Sequence, residues 1–242
     1  MNDAKAAEIV ESIEWDFERF NQSPRMMGCI LRTAMFDEWV KEFVDRNPEG
    51  TVVEIGTGLN TRFERLDNGS VHWFDVDLPD AMALRRKHFS DSARRVMLAA
   101  SVVDEDWIAA VKRSPPPYCF VAETVFVYLS EPQVRTALTQ IAANFPGALI
   151  VFDTANRKAV IHGDKDHARR KLDARFVWAC EDPKEIERWN IGWRLVKSRS
   201  FFDVPESLKK RLSWRARIAL RVFNKMAPRI GVAYRLNLFA AA

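Results

Sequence analysis

Short apolar runs of strand length alternate along this chain with longer stretches in which apolar residues recur every three to four positions. The runs predict strands at 51–55, 71–76, 95–99, 118–123 and 148–153. Between them, 79–88, 104–112 and 131–144 carry helical periodicity. Pro132 suits the first turn of the last of these, with Ser130 as its cap. Ahead of the first strand, Asp3 is placed to cap a helix bearing Ile9, Ile13, Phe17 and Phe20 on one face. A second helix over 26–46 stops before Asn47-Pro48. Two late runs, 193–202 and 232–239, predict the last strands, with a helix over 206–226 between them. The polar stretch 156–173 has no clear period and is expected to be a mobile loop or lid.

Strands and helices in alternation point to a doubly wound α/β fold, a mostly parallel sheet with helices on both faces. No internal repeat or low-complexity segment interrupts it. The expected organisation is one domain over 1–242, with cap helices at 1–47, a core at 48–155, and the lid, last strands and basic helix at 156–242.

Composition narrows the class. With 48% hydrophobic and 29% charged residues the chain is globular rather than disordered, and eight Trp and sixteen Phe supply ample core surface. No window approaches the roughly 20 apolar residues that span a bilayer, and the acidic N-terminus has no apolar signal core. Cys29, Cys119 and Cys180 are scattered and lack metal spacing, so they are expected to be reduced thiols of a cytoplasmic protein.

Charge is unevenly spread. From Leu208 onward there are nine Lys or Arg and no acid, which leaves −5 on residues 1–207 of a chain whose total is +4. The helix there carries Leu212, Ala216, Ala219, Phe223 and Met226 on one stripe, which predicts a core-packed helix with a solvated basic face. Basic charge alone also suits a membrane surface or nucleic acid. No aromatic platform is interleaved with it, so neither partner is expected. A helix that covers the active site and draws in an acidic substrate is the remaining alternative.

The candidate chemistry lies at the strand ends. The sequence VVEIGTGLNT places Glu54 at the end of the first strand, with Gly56 and Gly58 directly after it. In a doubly wound sheet ligands sit at the carboxyl ends of the strands. The dinucleotide fingerprint needs a third glycine where Thr61 stands, and the charge of Glu54 repels a phosphate. Asp77 ends the second strand, twenty-one residues after Gly56, where a carboxylate can accept ribose hydroxyls; Glu123 ends the fourth. Three strand-end acids and two glycines describe a pocket for a nucleoside bearing a positive group and no phosphates. S-adenosylmethionine has that chemistry.

The ordered motifs EIGTGLNTRFERL, WFDVDLP, SVVDEDW and VAETVFVYLSEPQV resemble the leucine carboxyl methyltransferase family, including its polyketide O-methyltransferases of the tetracenomycin type. The resemblance covers roughly residues 24–153, with weaker echoes at Gly192-Trp193. It implies a class I, Rossmann-like sheet of seven strands with an antiparallel end, N-terminal cap helices and a helical insertion before the last strand. It further implies that Glu54, Gly56, Thr57 and Gly58 form the cofactor loop, that Asp77 and its neighbour Leu78 hold the ribose end, and that Glu123 lies near the methionine end. Arg32 matches a family arginine that pairs with the methionine carboxylate. Two positions depart from the family pattern: Asn60 replaces an aspartate, and Ser101 stands where an acid receives the adenine amino group, with the Val102 backbone beside it.

Each assignment has a structural competitor. Glu54 and Asp77 suit local caps, Arg32 a surface ion pair, and Tyr128 simple core packing. His162 and His167 sit five apart in the expected lid, share no helical face, and give no metal site; contact with substrate is their functional alternative. The resemblance implies methyl transfer to a carboxylate or hydroxyl of a small natural product. A protein C-terminal carboxyl methyltransferase and a non-catalytic S-adenosylmethionine-binding protein are the alternatives. A phenol needs a base and a carboxylate does not. No acid or histidine is clearly placed as that base, whereas Arg157, Lys158 and the arginines after Leu208 supply positive charge. The sequence therefore favours an acidic acceptor over a phenolic one.

Overall fold

The structure, a computed structural model, describes residues 3–17, 24–169, 173–200, 202–210, 212–214, 217–218, 220–222 and 233–242. Its sheet has seven strands in the order β3-β2-β1-β4-β5-β7-β6. These are β1 (Thr51–Ile55), β2 (His72–Asp77), β3 (Arg95–Ala99), β4 (Tyr118–Ala122), β5 (Leu149–Ala155), β6 (Trp193–Ser200) and β7 (Tyr234–Ala241). β1, β2 and β3 run parallel, while β7 lies antiparallel to both β5 and β6. The order reverses between β1 and β4, the place where such sheets bind ligands.

The chain divides into two compact units, residues 1–121 and 122–242. The first contains α1 (Ala4–Ser12), α2 (Pro24–Arg46), α3 (Arg62–Leu66), α4 (Pro79–Arg85) and α5 (Asp106–Val111) around β1–β4. On α2, Leu31, Met35, Phe36, Trp39, Val40, Phe43 and Val44 form the buried stripe that its periodicity predicts. β1 is buried along its whole length, as expected of a strand covered on both faces. The second unit holds a 3₁₀ turn (Phe126–Tyr128), α6 (Glu131–Asn144), α7 (Arg157–Arg169), α8 (Glu185–Arg188) and α9 (Glu206–Lys209). Ser130 and Gln133 close a capping box at the start of α6.

Three expectations are corrected. The first helix ends at Ser12, so Ile13 and Phe17 lie beyond it, and Phe20 falls outside the described residues. The stretch 156–173 is not an irregular lid: residues 157–169 form α7, whose first turn is capped where Asn156 Oδ1 accepts from Ala159 N at 2.9 Å. The helix expected over 206–226 is broken: α9 ends at Lys209, and Leu212 and Ser213 are not helical; α3 and α8 had no predicted counterpart. Of the stripe proposed for the basic helix only Leu212, half-buried, is described; Trp214, Ile218 and Val222, off that stripe, are exposed.

Among the described residues no helix is long and apolar enough to cross a membrane. All three cysteines are free; Cys29 is exposed, and burial pushes the Cys119 and Cys180 thiols up to about 12.

Asp3 ties α1 to α3. Its side chain accepts from Ala6 N at 2.9 Å, from Thr61 Oγ1 at 2.6 Å and from Arg65 Nη1 at 2.9 Å. Burial raises this carboxyl, but those three bonds outweigh it and hold it below the usual carboxylate value. A depressed carboxyl contributes stability that is present above the unfolded-state pKa of about 3.9 and is lost as pH falls through the folded value. Amide exchange at Ala6 should therefore stay protected above about pH 4 and accelerate below it, and Asp3→Ala should show the faster exchange already at pH 7. Protection in the variant equal to wild type would remove Asp3 as the anchor.

Candidate active site

The loop after β1 is fastened from two sides. Gly56 N donates to Val76 O at 2.8 Å, and Gly58 N donates to Asp77 Oδ2 at 2.6 Å. On the other side, Arg85 Nη1 donates to the carbonyls of Gly58 and Asn60, both at 2.8 Å. Gly56 and Gly58 have φ of 63° and 49°, values that a side chain rarely tolerates. A Cβ added at Gly58 would meet nothing within 4 Å, so open space lies beside the loop. Asp77, half-buried, also accepts from Leu78 N at 2.8 Å, and Leu78 is 52% exposed despite being apolar.

Glu54 is 2% exposed and stands in register with the fully buried Asp75 on the neighbouring strand. Two carboxylates at paired positions repel unless cations meet them. Arg62, fully buried, donates Nη1 to Glu54 through a short bond and Nε to Asp37 Oδ1 at 2.8 Å. Asp75 accepts from Arg85 Nε at 3.1 Å, Arg95 Nε at 2.8 Å and Thr57 Oγ1 at 3.2 Å. Burial pushes the Arg95 guanidinium down, but Asp75 and Glu64 more than offset this and hold it above its usual value. The Arg85 and Arg95 guanidiniums also lie over the Phe89 ring, at 4.1 and 4.8 Å. The charge of Glu54 is thus met within the protein by Arg62, a partner the sequence did not assign. Asp75, Arg85 and Arg95 were missed altogether; the visible signal was arginines entering apolar runs in ALRRKHF and ARRVML.

After β3, Ala100 N donates to Asp77 O at 2.9 Å. The backbone N of Ser101 donates to Asp104 Oδ2 at 3.1 Å, its hydroxyl accepts from Val103 N at 3.4 Å, and Val102 is buried. Loop, Asp77, Leu78, Ser101 and Val102 thereby gather at the carboxyl ends of β1–β3 in the first unit. Arg32 lies half-buried on α2 of that unit.

Glu123 belongs to the second unit, half-buried just past β4. Thr124 follows with φ of 57°, an uncommon conformation for a β-branched residue. Asp153 holds it there, accepting from Thr124 N at 2.6 Å and Thr124 Oγ1 at 3.2 Å, and from Tyr234 Oη through a short bond. This buried acid was also missed. Tyr128 is 37% exposed and gathers with His167 and Phe176; His162 is exposed on α7. Among the described residues no group of three His, Cys, Asp or Glu is placed to hold a metal.

The sequence model described as leucine carboxyl methyltransferase matches residues 3–142, which carry α1–α5, β1–β4 and this loop. The chain belongs to the leucine carboxyl methyltransferase family. As such it is an S-adenosylmethionine-dependent methyltransferase. It is 30% identical over 207 residues to the tetracenomycin polyketide synthesis O-methyltransferase TcmP of Streptomyces glaucescens, covering 85% of this chain and 76% of that one. It is 24% identical over 267 residues to the S-adenosyl-L-methionine-dependent methyltransferase dpfgK of Gibberella zeae, covering 97% and 86%. Among solved structures, a DUF574-family protein of Streptomyces avermitilis superposes with a TM-score of 0.61 at 12% identity, covering 88% of this chain and 83% of that one. The magnesium protoporphyrin IX methyltransferase of Synechocystis, solved with bound SAH, gives 0.52 at 8% identity, covering 91% and 88%. The methyltransferase fold is thus of class I, with β6 and β7 as its antiparallel end.

Proposed function

We propose that this methyltransferase transfers its methyl group to a carboxylate or hydroxyl oxygen of a small natural product. The observation that carries this reading is the 30% identity, over 85% of the chain, to a polyketide synthesis O-methyltransferase. The residues at the carboxyl ends of the strands fit the cofactor. Asp77 offers charged acceptors to ribose hydroxyls, exposed Leu78 offers an apolar face to the adenine, and Ser101 and Val102 stand where the adenine edge is to be met. The Gly56-Thr57-Gly58 backbone leaves room for close approach, Glu123 and Arg32 are assigned to the methionine end, and Glu54, buried against Arg62, supports the loop from within the protein. When bound, S-adenosylmethionine supplies an electrophilic methyl on a sulfonium. The protein's own contribution is to hold the acceptor oxygen in line and keep water out. The same reading takes the chain as a single methyltransferase domain working in the cytoplasm.

The family's description, leucine carboxyl methyltransferase, favours a carboxylate, and a protein C-terminal carboxylate is the competing acceptor. Cell extract incubated with the enzyme and a donor carrying a labelled methyl separates the two. The label is expected on a small molecule, at oxygen, by mass spectrometry. Label on a protein terminus would replace this reading with the competing one.

A further inference from the structure

Beyond α9 the chain turns an apolar row toward water. Trp214, Arg217, Ile218, Leu220, Arg221 and Val222 are helical, and Arg217 N donates to Ser213 O at 3.1 Å, the four-residue return of an α-helix. Trp214, Ile218 and Val222 stand four apart in sequence, a spacing that puts them along one side of a helix. They are 64%, 50% and 47% exposed, whereas Leu212 and Leu220 are half-buried. The leucines therefore supply this segment's contact with the protein, and the tryptophan, isoleucine and valine lie outside that contact.

A single exposed apolar side chain needs no explanation, but three on one face do. Their neighbours decide what suits them. Arg217 and Arg221, both exposed, follow Trp214 and Ile218 by three positions and so border the apolar row. From Leu208 onward the sequence has nine Lys or Arg and no acid, and the preceding acid, Glu206, is bonded by Lys209 Nζ at 2.6 Å. A phosphate backbone answers the positive charge but leaves Ile218 and Val222 in water. An anionic bilayer surface answers both: its headgroups meet the arginines, its acyl boundary takes the aliphatic side chains, and an indole is at home between the two.

We propose that Trp214, Ile218 and Val222, bordered by Arg217 and Arg221, form a docking face for an anionic lipid bilayer. The segment lies in the headgroup plane with the apolar row inward and the guanidiniums on the headgroup anions. This is attachment at the surface, since no helix among the described residues is long and apolar enough to cross. The face belongs wholly to the second unit. It departs from the absence of a membrane partner expected from the sequence, because the stripe read there as core left the exposed row of Trp214, Ile218 and Val222 out of account.

Flotation of the full chain with vesicles tests the proposal, using phosphatidylcholine alone and phosphatidylcholine mixed with phosphatidylserine. Wild type should float with the mixed vesicles and not with the neutral ones, and salt raised toward about 1 M should release it. Arg217→Gln and Arg221→Gln should each weaken binding about fivefold, the equivalent of about 1 kcal/mol per cation. Ile218→Ser combined with Val222→Ser should weaken it about tenfold or more with every charge in place. Brominated acyl chains should quench part of the wild-type tryptophan emission, and Trp214→Phe should lose that quenched part. All of these side chains are exposed, so each variant should bind S-adenosylhomocysteine as wild type does, which shows it to be folded. Failure of wild type to float with the mixed vesicles, or undiminished flotation of the Ile218→Ser, Val222→Ser protein, would overturn the proposal. Retention by duplex DNA with no binding to either vesicle would overturn it as well, in favour of a phosphate backbone.

Discussion

Arg62→Ala should destabilise the protein by about 3–5 kcal/mol, the largest effect expected of any single change at the site. Its guanidinium is wholly buried and bridges Glu54 on β1 to Asp37 on α2. Removing it takes the Arg62 cation away from the buried Glu54, which also stands beside Asp75 across the strand pair, while Asp37 keeps Arg65, whose Nε donates to Asp37 Oδ2 at 2.8 Å. The loss is the uncompensated burial of charge, not the worth of a surface ion pair. Arg62→Lys should recover only part of it, since an ammonium cannot reach both acids with a planar fork. Urea denaturation measures this directly, as a lower midpoint at unchanged slope. A loss under about 1 kcal/mol would mean that water or a rearranged partner already satisfies Glu54.

Asp77→Ala should lower the affinity for S-adenosylhomocysteine about 10–150-fold, equivalent to 1.5–3 kcal/mol, as charge-assisted bonds to the ribose are lost. The same change removes the acceptor of Gly58 N, so the loop loosens as well. Asp77→Asn separates the two contributions: its amide oxygen can still accept from Gly58 N, but the charge is gone, and the loss should be intermediate. Calorimetry on the folded variants decides the matter. Unchanged affinity in Asp77→Ala would reduce Asp77 to a cap of its own turn.

The two changes probe different layers of one construction. Asp77 accepts from the backbone N of Gly58, while Arg85, held by Asp75, donates to the loop carbonyls of Gly58 and Asn60. The buried arginines thus hold the loop in place, and the residues proposed to meet the cofactor need not supply that rigidity themselves.

Local pattern was enough to read the architecture. Short apolar runs and period-3.6 hydrophobicity depend on neighbours a few residues apart, and they placed all seven strands and most of the helices close to their observed bounds. Gly56, Gly58, Asp77 and the order of motifs around them also lie within short windows, which is why the family was legible from them. α7 escaped because its residues are mostly polar and Gly163 breaks its pattern. That glycine answers to the Phe176 ring, a contact no helical period contains. What only the tertiary structure decided is which charges and rings meet. Arg62 finds Asp37 twenty-five positions back, Arg95 finds Asp75 twenty positions back, and Tyr234 finds Asp153 at a separation of eighty-one. Burying a charge is costly wherever it happens, so the sequence announced that Glu54 must have a partner. Naming Arg62 as that partner required the chain to be folded, because the loop after β1 must turn back before a residue eight positions on can reach Glu54.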